Sequence, residues 1–72
     1  MTGAEAKRRL LLTAYLLVLP EAPPALFWAG KWVRLSRSYL AMLATGHAPA
    51  YSGQSEDLSI ADAYLAAWEG AP

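Results

Sequence analysis

The five residues Pro20-Glu21-Ala22-Pro23-Pro24 limit every fold open to this chain. Each proline holds φ at about −65°, lacks a backbone N–H, and pushes the residue before it toward an extended conformation, so neither a helix nor a sheet ladder continues through the stretch. Whatever precedes it must stop near Leu19, and a new element must begin at Pro24.

Before the break, Thr2-Gly3-Ala4-Glu5 fits a capping box: Thr2 caps the Glu5 amide and the Glu5 carboxylate returns to the Thr2 amide. A helix is expected over 4–19. From Leu10 to Leu19 only Thr13 is polar, and a helix apolar on all sides expects to be surrounded. Lys7, Arg8 and Arg9 ahead of this run imitate a secretory leader, but Pro23 directly after Ala22 makes a poor cleavage site. Crossing a bilayer takes about 20 apolar residues in one helix, and Pro20 and Glu21 interrupt the run well short of that.

After the break, PALFWAGKWVRLSRSYLAMLAT opens on Pro24 and is followed by Gly46, the usual asymmetry of a helix start and stop. At 100° per residue, Trp28, Trp32, Leu35, Tyr39, Met42 and Leu43 share one side, and Lys31, Arg34 and Ser38, flanked by Arg37, lie roughly opposite. The spacing predicts a long central helix over 24–45, with Gly30 costing ~1 kcal/mol inside it relative to alanine. The linker 20–24 is short enough to join antiparallel neighbours in a bundle, where Tyr15, Leu16 and Leu19 meet the Trp28 end. Residues 46–55 carry glycines and a proline without periodicity and read as an ordered loop that Tyr51 pins. Ser55 is the expected N-cap of a last helix over 56–68, with Ser59 and Asp62 as a second cap and Gly70 closing the segment. The expected fold is therefore all-α: one small three-helix domain with a long central helix.

Size now adds a constraint. At 72 residues, a chain buries only about 60% of the surface its unfolded form exposes. Domains this small usually add a disulfide, a metal or a partner. There is no cysteine, and one histidine cannot build a metal cage. Apolar residues are 56% of the chain, against roughly 45–50% in ordinary soluble domains, and exchanging tyrosine for glycine to match the usual definition changes this little. The surplus points to a face buried against another copy, another protein or a lipid surface.

Net charge is zero, which gives no general attraction to nucleic acid, but the charges are segregated. Lys7, Arg8, Arg9, Lys31, Arg34 and Arg37 all precede Gly46, with only Glu5 and Glu21 against them; Glu56, Asp57, Asp62 and Glu69 follow it with no cation. The plain reading is an acidic last helix lying beside the basic back of the central one, in exposed pairs of ~0–1 kcal/mol each. Arg34, Ser36, Arg37 and Ser38 invite comparison with a DNA-reading helix, but a neutral chain lacks the wider basic footprint.

Catalytic chemistry is not visible. His47 stands just past the central helix, where it complements the last carbonyls, and no nucleophile or orienting carboxylate is tied to it by a recognised spacing. The glycines form no phosphate-cradling motif, and Glu56 and Asp57 suit the dipole of a first helical turn better than acid–base work. No enzyme activity, cofactor, metal or small-molecule substrate is expected. The sequence favours a non-enzymatic protein–protein interaction module: a homo-oligomer, or a subunit, adaptor or inhibitor of phage or mobile-element type that covers a surface of a larger partner. The candidate partner-facing residues are Leu12, Tyr15, Leu16 and Leu19 on the first helix, Trp28 and Trp68 as anchors, and Lys31, Arg34 and Arg37 setting orientation. A cytoplasmic setting is expected. The alternative is a membrane-surface protein held by the basic-apolar first helix, and a lesser one a small helical nucleic-acid-binding protein.

Overall fold

Helix α1 runs from Gly3 to Val18, and the Thr2 hydroxyl accepts the Glu5 N–H at 3.1 Å, the N-cap expected from the sequence. These features come from a computed structural model that describes residues 2–19 and 21–68; Pro20, Glu69 and Gly70, on which some expectations fall, lie outside the described residues. One face of α1, formed by Leu12, Tyr15 and Leu16, is buried.

The segment expected to form a long central helix does something else. Leu26–Trp28 (β1) and Lys31–Val33 (β2) pair as an antiparallel hairpin, and helix α2 begins only at Arg37 and ends at Thr45. The break is at Ala29 and Gly30, whose φ angles of 51° and 80° are both left-handed. Two consecutive left-handed residues form the two-residue turn whose twist matches that of the flanking strands, and a helix cannot pass through them. The strands themselves are rich in aromatic and β-branched residues, which suit a pleated, half-buried surface. Trp28 pairs with Lys31 and Trp32 with Phe27, so the two tryptophans that would share one face of a helix stand on opposite faces of the hairpin. The fold is thus mostly helical with a two-stranded sheet, rather than all-α, and Pro23, fully buried, leads from α1 into a strand rather than a second helix.

Alanine at φ 51° is strained by roughly 1–2 kcal/mol, a cost that asparagine or glycine largely avoids. Ala29→Asn should therefore raise the melting temperature by several degrees, at about 4–8 °C per kcal/mol for a domain of this size. An unchanged or lowered melting temperature would mean that the turn is not the one described.

Helix α2 is capped at both ends. The Ser36 hydroxyl accepts the Tyr39 N–H at 3.1 Å. At the other end Gly46 takes the left-handed conformation, its N–H donates to the Leu43 carbonyl, and the His47 N–H donates to Met42, together a Schellman motif. The remaining carbonyls, of Ala44 and Thr45, accept from the Arg9 guanidinium of α1 at 3.0 and 2.9 Å. Arg37, the first residue of α2, returns the arrangement by donating to the Leu16 and Leu19 carbonyls at the end of α1. The two helices are antiparallel, and each supplies an arginine to the other's negative end, where the dipole also favours a cation.

Helix α3 spans Gln54–Ala67, one or two residues earlier than expected, with Gly53 rather than Ser55 at the N-cap position and no side-chain cap. Ile60, Ala61, Tyr64 and Leu65 complete a core with Leu12, Tyr15, Leu16, Leu35, Leu40, Leu43 and Ala44. The acidic segment does meet the basic one, though through different partners than a helix back: Asp62 holds Arg8 of α1 in a two-pronged pair at 2.8 and 2.9 Å, and Glu56 pairs with Lys31 beside the hairpin turn at 3.0 Å. That hydrogen-bonded pair raises the Arg8 pKa above its ordinary value. Tyr51 ties down the loop before α3, its hydroxyl 3.1 Å from that of Tyr39, which donates to the Asp57 carboxylate at 3.0 Å.

Candidate interaction surface

Helix α3 sets the position of the hairpin at two points. The buried Tyr64 hydroxyl donates to the Pro24 carbonyl just before β1 and accepts the Leu35 N–H just after β2, closing the open end. Eight residues earlier on α3, Glu56 holds Lys31 at the turn; this separation is about 12 Å along a helix, so the hairpin lies lengthwise on α3. Leu26, Trp28 and Val33 face inward and pack half-buried against the core. Alternation along the strands then forces Phe27 and Trp32 outward.

Those two rings are 62% and 72% exposed and meet edge to face, with centroids 5.6 Å apart and planes at 67°. An aromatic pair of this geometry is worth ~0.5–1.5 kcal/mol beyond its burial, enough to hold the rings as a unit, and it leaves both presented to solvent. A second apolar region lies on α1, on the side away from the core: Leu10 is 71% exposed, Leu17 81% and Val18 63%.

Several residues expected to face a partner are used inside the fold. Leu12, Tyr15 and Leu16 are buried in the core, because theirs is the face of α1 that the other helices cover. Leu19 and Trp28 are half-buried against that core, and Trp68 packs edge-on to Tyr15 at 5.4 Å. Lys31 is paired with Glu56 and Arg37 with the α1 carbonyls, while Arg34 stands exposed between β2 and α2. The structure therefore does not gather the nine candidates into one surface. The residues that do form exposed apolar faces, Leu10, Leu17, Val18, Phe27 and Trp32, left two signals in the sequence. Leu10 and Leu17 are seven apart, opposite Leu12, Leu16 and Leu19 on a helical projection, and LFW-AG-KWV is two short aromatic strands about a glycine-containing pair.

An open cleft of about 280 Å³ lies where α1 begins, α2 ends and α3 begins, lined by Glu5, Arg8, Arg9, Leu43, Gly46, Ala48, Gln54 and Leu58. It is at the small end of ligand pockets, and its two guanidiniums are committed, Arg8 to Asp62 and Arg9 to α2 carbonyls. His47 is exposed nearby, contributing its backbone N–H to the end of α2. Burial, and for Tyr39 also the bond to Asp57, pushes the Tyr39 and Tyr15 phenols above their ordinary pKa. A raised phenol pKa adds stability that is full below pH ~10 and fades as pH climbs past the folded value, so neither group titrates near neutrality. No helix among the described residues is long and apolar enough to cross a membrane. The chain matches no protein-family profile, and comparison with curated protein sequences and with solved structures finds no match.

Proposed function

We propose that this chain is a small non-enzymatic interaction module that works by covering a protein surface with its two exposed apolar faces. The observation that carries the reading is the Phe27–Trp32 pair. Scattered exposed leucines are ordinary on soluble proteins, but a paired phenylalanine and tryptophan held outward on a braced hairpin is the kind of rigid aromatic anchor found at the energetic centres of interfaces. Neither ring is among the residues that close the core, so the fold does not require both to be aromatic. As a subunit, adaptor or inhibitor, the chain would seat this pair in a pocket of its partner, with the exposed cation Arg34 steering approach from the end of β2.

The membrane-surface reading draws on α1, but Arg8 and Arg9 are engaged within the fold, which leaves Lys7 as the cation of that cluster available to headgroups. Protein is the better-supported target.

A photo-crosslinking phenylalanine analogue placed at position 27, in the cells that make the protein, tests the proposal. A discrete protein adduct that disappears in Trp32→Ser is the expected result. Cross-linking to lipid alone, or an adduct indifferent to Trp32→Ser, would remove the hairpin from the account.

A further inference from the structure

We propose that a second copy of this chain docks on the exposed back of α1, forming an antiparallel helix pair centred between Thr13 and Ala14. This rests on the interaction reading above and names one partner for one of its two faces. Leu10, Ala14 and Leu17 follow one another at four and three residues, the spacing of a helix–helix seam, and lie opposite the buried face of Leu12, Tyr15 and Leu16. The seam is self-complementary. When two copies run antiparallel about that centre, Leu10 of each meets Leu17 of the other, and the small Ala14 lets the backbones approach closely at the middle.

Charge matches in the same register. Lys7 lies one turn before Leu10 on the same exposed side, and Glu21 is exposed three residues beyond the end of α1. Antiparallel pairing brings the end of one α1 that carries Lys7 to the end of the other that Glu21 follows, on both sides of the two-fold centre, and lets the lysine stem cover Val18. A parallel pair would instead place lysine against lysine and glutamate against glutamate. With zero net charge, two copies carry no overall repulsion to overcome. Three aliphatic side chains and one ion pair from each copy make a contact well below the roughly 1,200 Å² where standard specific interfaces begin, so the association is weak and concentration-dependent rather than permanent.

Sedimentation equilibrium from roughly 10 μM to 1 mM tests this, a range chosen for a dissociation constant in the micromolar decades. The weight-average mass is expected to climb from 7.8 kDa toward twice that value. Leu17→Glu, at an 81% exposed position, should hold the mass at the monomer value while keeping the wild-type melting curve. Lys7→Glu and Glu21→Lys should each weaken association at least tenfold, and the double exchange should restore it. Trp32→Ser should leave it unchanged. A wild-type chain that stays monomeric throughout, or a dimer lost in Trp32→Ser and retained in Leu17→Glu, would overturn the proposal while leaving the hairpin reading to its own cross-linking test. Flotation of monomeric chain on anionic vesicles, abolished by Leu17→Glu, would also overturn it by assigning the stripe to lipid.

Discussion

Leu40→Ala is expected to leave a substantial fraction of the chain unfolded at 25 °C. Leu40 is fully buried in α2 and belongs to the cluster that joins α1, α2 and α3. Emptying such a site costs ~2–5 kcal/mol, since the surroundings collapse only partly into the space left by the lost methyl groups. A domain of this size without disulfide or metal has about 3–5 kcal/mol to lose. The two ranges overlap, so one truncation consumes most of the stability. Loss of the cooperative thermal transition followed by circular dichroism is the expected reading, and a melting temperature within a few degrees of wild type would show that Leu40 does not anchor the core. Leu17→Ala, on the exposed side of α1, provides the contrast and should change stability by no more than ~0.5 kcal/mol.

The second large effect belongs to a single hydroxyl group. Tyr64→Phe keeps the ring that packs beside Tyr15 but leaves the Pro24 carbonyl and the Leu35 N–H without their shared partner. Stranding a buried backbone group such as the Leu35 N–H costs ~1–3 kcal/mol, and the part-buried Pro24 carbonyl loses its partner as well. The loss should be felt locally first, because an isolated two-stranded hairpin is barely stable in water and this one relies on α3 to close its open end. Hydrogen exchange would show it: protection should fall more for the hairpin amides of 26–33 than for those of α1. Equal loss everywhere would mean that Tyr64 supports the core as a whole and does not brace the hairpin. If the hairpin does loosen, cross-linking through position 27 should weaken with it, since a rigid anchor binds at a lower ordering cost than a mobile one.

Both variants act on contacts far apart in sequence, and the same distance explains which parts of the fold were legible beforehand. Helix α1 was legible because its signals are local: Thr2 sits three residues from Glu5, and the buried Leu12, Tyr15 and Leu16 fall at helical spacing. The end of α2 was legible for the same reason, as Gly46 is the residue type that tolerates the left-handed cap. The middle of the chain misled because Trp28, Trp32, Leu35, Tyr39 and Met42 repeat at helical intervals, while only 37–45 is helical. Strands of three residues are too short to show a convincing alternation, and Ala29 in a left-handed turn goes against its usual preference. The turn is held by the Lys31–Glu56 pair and the hairpin base by Tyr64, contacts 25 to 40 residues apart that no local window contains. Arg9 and Arg37 were equally opaque. Each looks like a surface cation, and each becomes a helix cap only because α1 and α2 run antiparallel.

The sequence by itself determined that this chain carries more apolar side chain than a 72-residue body readily hides, that its first segment is helical, and that every lysine and arginine precedes Gly46. Those properties depend on composition and on neighbours within a turn or two, where caps, prolines and periodicity act directly. Only the tertiary structure decided which apolar residues stay outside. Docking on α3 turned the central segment into a hairpin, and strand alternation then sent Trp28 inward and Trp32 outward. Because a strand reverses faces at every residue whereas a helix turns by 100°, that one change of local geometry separated Trp28 from Trp32 and set Trp32 beside Phe27 on the exposed face.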